Sequence, residues 1–202
     1  MADRSRETRT RLIEAARQVL MEHGYSGLST RRVAEVAGMP MSQIRYHFGS
    51  KEGMVLALFE AMNDALLDRQ QAMFGDPNLP LSQQWALACD FLEDDLNSGY
   101  VRVLQELIAA GWSNPVIRDA VAEALDGWQR LLVVVARRAT RQLGLTSPFS
   151  PDEIVALVSV MFLGSESQIL LGRDGPQVPH RKALRRIGVA IELLEAGRKD
   201  RG

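Results

Sequence analysis

Apolar side chains recur at three- and four-residue intervals along nearly the whole chain. No window joins sustained alternation to hairpin signals such as Asn-Gly, so the pattern predicts an all-α protein. Leu12, Ala16, Val19 and Leu20 form one stripe of a first helix, which Gly24 ends near His23 because glycine accepts the left-handed conformation past a helix terminus. Ser29 is placed to cap a short second helix with Val33, Ala34 and Ala37 inward, and Gly38 breaks it. Pro40 suits a first helical position, which predicts a third short helix from Pro40 to Phe48 with Ile44 and Phe48 facing inward. Ser50 caps a fourth helix, in which Met54, Leu58, Met62 and Leu66 share a face along a run to about Met73. Gly75 to Pro80 holds two prolines and is the clearest loop. Further helical runs cover Leu81–Asn97, Tyr100–Trp112, Pro115–Leu143, Pro151–Leu171 and Val178–Ala196, about nine helices in all.

Composition narrows the class without naming a function. With 202 residues, 46% hydrophobic and 24% charged, the chain is long enough for a sizeable core and too apolar for global disorder. The single cysteine, Cys89, cannot form an internal disulfide, the polar Arg-rich start does not read as a secretory signal, and the longest apolar run, Ile154 to Leu163, is about half of the ~20 residues a membrane-spanning helix needs. A cytoplasmic protein with no membrane contact is the expectation. The overall charge of −1 conceals an asymmetry: residues 1–52 carry nine basic groups against six acidic, a balance of +3, and the remainder stands at −4. A basic segment on an acidic body suits a nucleic-acid reader joined to a second module.

Helices two and three, joined at Gly38-Met39, have the dimensions of a helix-turn-helix. With Ile44 and Phe48 inward, the outer side of the third helix carries Met41, Ser42, Gln43, Arg45, Tyr46 and His47. Gln pairs with adenine through two hydrogen bonds, Arg does so with guanine, and hydroxyls or imidazole reach phosphates or base edges. An ordinary solvated helix face would look similar. Thr30 and Arg31 open helix two and Lys51 opens helix four, where free amides and the helix dipole favour a phosphate. Arg4, Arg6, Arg9 and Arg11 form a basic arm ahead of helix one, suited either to following a duplex or to a frayed, solvated terminus.

The residues Gly24-Tyr25, Ser29-Thr30-Arg31-Arg32-Val33-Ala34, Ala37-Gly38 and Tyr46-His47-Phe48-Gly49-Ser50-Lys51-Glu52 stand in an order and spacing that resembles the DNA-binding domain of the tetracycline-repressor (TetR) family. The resemblance covers residues 10–59. It implies phosphate contacts from Thr30, Tyr46, His47 and Lys51 and base readout from Met41, Ser42, Gln43 and Arg45. It also implies a domain plan: a DNA-binding domain at 1–52, a linking helix and loop at 53–80, and a ligand-binding and dimerisation domain at 81–202. On that plan the protein is a homodimeric repressor, paired through Pro151–Leu171 and Val178–Ala196, that leaves a palindromic operator when a small-molecule effector binds. Trp85, Cys89, Phe91, Trp112, Trp128, Met161 and Phe162 are the candidate pocket residues, although each would equally well be core packing. Three positions depart from the family pattern: Pro40 in place of a small polar cap, Arg45 where an aromatic residue is frequent, and Gly53, which leaves Ser50 without the acidic partner of a capping box.

A helical enzyme is the contrasting expectation, and the motifs speak against it. There is no phosphate loop, His-Glu-x-x-His, Cys-x-x-Cys or nucleophile elbow, His23, His47 and His180 are scattered, and neither a metal nor a cofactor is expected. A regulator answering to a protein partner, or to no ligand, fits the sequence as well as one with a small-molecule effector.

Overall fold

The computed structural model describes residues 2–143 and 148–199. Among them are nine helices and no strand: α1 (Ala2–Gly27), α2 (Thr30–Ala37), α3 (Met41–Phe48), α4 (Lys51–Phe74), α5 (Leu81–Ser98), α6 (Tyr100–Gly111), α7 (Pro115–Leu143), α8 (Pro151–Leu170) and α9 (His180–Lys199). The all-α architecture and the order of elements agree with the periodicity of the sequence. Two details differ at the start. The expected arm ahead of helix one is itself helical from Ala2, and Gly24, at φ 67° and ψ 178°, interrupts α1 as anticipated but a further turn continues to Gly27.

Contacts divide the chain into two compact units, one of residues 1–65 and 98–124 and the other of residues 66–97 and 125–202. In the first, α1 lays Leu12, Ala16, Val19 and Leu20 inward with Val33 and Ala34 of α2, Ile44 of α3 and Met54, Val55 and Leu58 of α4. Val101, Leu104 and Leu107 of α6 and Ile117 of α7 complete that core. Arg17 Nη1 donates to the Ser98 carbonyl at 2.9 Å, and the Tyr25 amide donates to Glu106 Oε2 at 3.3 Å, so the end of α5 and the middle of α6 brace the central and C-terminal parts of α1.

The second unit is built around an aromatic group. Phe162 of α8 lies between Trp85 of α5 (5.7 Å between centroids) and Trp128 of α7 (6.1 Å), each edge-on, an arrangement favoured by the ring quadrupoles. Both indole N–H groups are bonded, Trp85 to the Leu184 carbonyl and Trp128 to Gln70 Oε1, each at 2.7 Å. Gln84, almost fully enclosed, donates to the carbonyls of Asp76 and Leu79 and accepts from Arg138 Nη2 at 2.6 Å, which pins the 75–80 loop from two helices. Arg181 reaches Glu93 and Asp174, Arg185 reaches Asp90, and Glu195 accepts from the Leu81 amide and Ser82 hydroxyl at the open end of α5.

Helix α8 begins with a complete capping box, Ser150 and Glu153 bonding reciprocally, and the bonds from Ser150 hold the Glu153 carboxyl below its usual pKa. By length and composition α8 is apolar enough to cross a bilayer, which the ten-residue run counted in the sequence did not reveal. Its composition has another explanation. Val155, Ser159, Phe162 and Ser165 form a buried side, while Leu157 (57% exposed) and Val160 (70%) form an uncovered one.

Candidate DNA-binding surface

The helix-turn-helix is assembled by short-range chemistry. Ser29 Oγ accepts from the Arg32 amide at 3.2 Å, an N-cap typically worth about 1 kcal/mol, and so fixes where α2 starts. Gly38 ends it at φ 63° and ψ 37°, with its amide and that of Met39 returning to the last carbonyls of α2. A side chain would strain that left-handed backbone, so glycine sets the tight turn into α3. Pro40 is the N-cap of α3 rather than its first helical residue, and it caps with no side-chain bond. Gly53 also gains an explanation. A Cβ there would stand 2.2 Å from the Phe48 carbonyl oxygen, so the close passage of α3's last turn excludes the capping-box acid, and Ser50 Oγ accepts from Gly53's own amide instead.

Of the α3 side chains, Ile44 is the buried one. Met41, Ser42, Arg45 and Tyr46 are exposed, Tyr46 by 77%, and Gln43 and His47 are half-buried. The structure therefore brings the expected outer row together on one side of one helix. His47 fits its expected role less well: its ring packs edge-on against Tyr46 at 4.9 Å, and its Nε2 is enclosed without a partner among the described residues. As placed, that nitrogen does not face an external phosphate. Phe48 is half-buried under the Arg9 guanidinium, 5.6 Å from the ring centroid.

The flanking cations are held in place rather than free. Lys51 Nζ donates to the Tyr25 carbonyl at 3.2 Å and lies 4.6 Å from the Tyr25 ring centroid, a cation–π geometry. Burial, and secondarily the charge of Glu52, pushes the Tyr25 phenol above its usual pKa, so the ring beside Lys51 stays neutral. Arg31 pairs with Glu35 at 3.0 Å on the exposed side of α2, and Thr30 opens that helix half-buried. Arg11 Nη2 donates to the Ala37 carbonyl at 3.2 Å, and Arg32 Nη1 to the Gly27 carbonyl at 2.7 Å. The bracing by Arg9, Arg11, Arg32 and Glu106 escapes sequence reasoning, because each contact pairs a side chain with a carbonyl, amide or ring set by the turns between them.

The candidate pocket residues fare unevenly. Trp85, Trp128 and Phe162 meet, as described above. Phe91 stacks under Arg69, whose guanidinium carbon is 4.3 Å from the ring centroid, and Met161 is half-buried on α8. Trp112 does not join them: it belongs to the first unit and is 85% exposed, because the sequence places it in the turn after α6 rather than on an inward face. Cys89 is buried, and desolvation pushes its thiol up to about 11. It should therefore be inert. Thiol titration with a neutral disulfide reagent at pH 8 is expected to show no fast-reacting group in the native protein and one after denaturation.

Against this geometry the comparisons are consistent. Residues 12–58 match the family described as bacterial regulatory proteins, tetR family. The HTH-type transcriptional regulator CymR of Pseudomonas putida is 30% identical over 129 residues, 62% of this chain and 61% of that regulator, so the alignment spans under two thirds of CymR. The HTH-type transcriptional regulator BetI of Brucella canis is 26% identical over 92% of this chain and 91% of its own. Among solved structures, a transcriptional regulator from Saccharomonospora viridis in complex with choline superposes with a TM-score of 0.73 at 24% identity, over 89% of this chain and 94% of that one. Residues 12–58 thus carry the helix-turn-helix of the tetR family of bacterial regulatory proteins, with a single buried anchor in α3, and the nine helices among the described residues share the fold of that solved regulator.

Proposed function

We propose that the protein is a homodimeric repressor that binds a two-fold symmetric operator and releases it when a small molecule occupies its second module. The observation that carries this is the outer row of α3. With Ile44 seated in the core, Met41, Ser42, Gln43 and Arg45 are left to meet base edges, with Thr30, Arg31, Tyr46 and Lys51 beside them for phosphates, while the enclosed His47 supports Tyr46 through its ring. Two such helices spaced about one duplex turn, ~34–36 Å, enter successive major grooves. In this reading residues 1–52 bind DNA, 53–80 link, and 81–202 sense and pair.

Pairing is supported by the uncovered apolar side of the last two helices. Leu157 and Val160 of α8, and Val189 and Leu193 of α9, recur at three- to four-residue spacing and are each more than half exposed. Such a patch on one chain marks an interface, and a two-fold axis makes it self-complementary. Four helices, two from each subunit, would cover it. An effector is supported by the aromatic group of the second unit and by the choline held in the S. viridis relative's structure. Linkage then requires that effector and DNA weaken one another by the same factor.

The test is selection from random-sequence duplexes by the full chain. A palindromic site is expected. Arg45→Ala should lose about 1–3 kcal/mol and relax preference at one base pair per half-site, whereas Lys51→Ala should weaken all sequences alike and lower the salt slope by about 1. Selection of no sequence, or Arg45→Ala with unaltered preference, would count against the reading.

A further inference from the structure

We infer that Glu106 of α6 is a positioning residue for DNA binding: without touching DNA it holds Tyr25, and Tyr25 aims Lys51 at a phosphate. This rests on the reading of the protein as a DNA-binding regulator.

The contacts start at the break in α1. Gly24 leaves helical geometry at φ 67° and ψ 178°, a conformation that glycine tolerates and other residues rarely adopt. The amide after it, that of Tyr25, donates out of α1 to Glu106 Oε2 at 3.3 Å. Space is restricted there as well. A Cβ at position 24 would stand 3.0 Å from Glu106 Oε1, so the missing side chain is what lets the carboxylate come over the break.

Tyr25 is held at its carbonyl too. That oxygen accepts from the Leu28 amide at 3.3 Å and from Lys51 Nζ at 3.2 Å, and the Tyr25 ring centroid lies 4.6 Å from the same ammonium. A hydrogen bond and a ring face together fix the direction of the Lys51 side chain. An ammonium has three donors, so two remain for a phosphate after the carbonyl has taken one. Lys51 also opens α4, whose free amides favour the same anion. A lysine already held in this way loses less rotamer freedom on meeting DNA than a mobile one. Removing the Glu106 carboxylate leaves the Tyr25 amide without its acceptor and frees the residue to turn about the Gly24 break. Carbonyl and ring then no longer direct the ammonium.

The sign of the effect separates this role from charge. Glu106 is an anion within the DNA-binding unit, so on electrostatics alone its loss should tighten binding to a polyanion. Loss of positioning should weaken it.

The experiment is fluorescence anisotropy across a range of KCl concentrations, using the full chain and the duplex selected by the parent. Glu106→Ala should weaken binding and lower the salt slope by about 1 for each bound subunit, as Lys51→Ala does, without changing which base pairs are preferred. Glu106→Asp keeps the charge but withdraws the oxygens by one methylene, and it should weaken binding in the same way. It carries the test should Glu106→Ala fail to fold. Glu106→Gln keeps an acceptor at full reach and should retain the parent's slope and at least its affinity. In a Lys51→Ala background, Glu106→Ala and Glu106→Asp should cause no further loss, because each acts through the lysine. Parental binding by Glu106→Asp together with parental or tighter binding by Glu106→Ala would overturn the inference, leaving charge alone. A loss of equal size with and without Lys51 would overturn it too, as general damage to the unit. Parental binding by Lys51→Ala would remove that lysine from the interface and the inference with it, while a parent chain that selects no sequence would sink the DNA-binding reading itself.

Discussion

Leu193→Asp is expected to turn a dimer into a monomer and to lower operator affinity by about 10²–10⁴, the range lost when two linked binding modules become one. Leu193 is 70% exposed on α9, so the isolated chain should fold with little penalty. In the proposed pair the same position is covered. Removing a buried leucine forfeits about 1.5–3 kcal/mol per copy, and the two-fold axis doubles it. The carboxylate adds a larger cost, because an unpaired charge under an apolar interface is strongly disfavoured. Light scattering after size exclusion reads the mass, and anisotropy reads the affinity. Val134→Asp supplies the comparison: Val134 is 64% exposed on α7, outside the α8 and α9 side, and its substitution should leave both readings unchanged. A dimeric Leu193→Asp protein would place the subunit contact elsewhere.

Ile44→Ala should have the largest effect on the DNA-binding unit itself. Ile44 is 1% exposed and anchors α3, so its truncation removes the contact that orients the whole outer row. Large-to-small core changes of this kind cost about 2–5 kcal/mol. For a chain of this size that corresponds to a drop in Tm of roughly 5–15 °C, measurable by circular dichroism. Specific binding should fall much further than stability, since a helix displaced by a fraction of a turn presents different side chains to the bases. Binding that survives with parental sequence preference would show that α3 is positioned by its capping turns rather than by its anchor.

Local signals made most of the fold legible. Ser29 and Gly38 mark ends through capping and backbone conformation, and the structure uses each at the place its chemistry demands. The outer row of α3 was equally legible, because one buried residue in an eight-residue helix fixes which side remains. Two things were not. The helical course of residues 2–11 carries no apolar stripe, so periodicity had nothing to detect there. Trp112 looked like core by composition, and its exposure follows from a turn of three residues between α6 and α7 whose direction only packing decides. Long-range bonds such as Glu106 to Tyr25 and Arg138 to Gln84 join groups separated by 81 and 54 residues, beyond any local rule.

Arg138 and Gln84 hold the 75–80 loop through backbone carbonyls and a side-chain amide, whereas Arg181 and Arg185 hold α9 to carboxylates. The Arg181 bonds keep the Asp174 carboxyl below its usual pKa, so their contribution is present above the ordinary aspartate range and fades as pH falls through the lowered value. The two latches thus answer to different variables. Acidification is expected to loosen the joint between α9 and the segment before it while the bonds of the 75–80 loop persist, so the residue type closing each joint decides which gives way first.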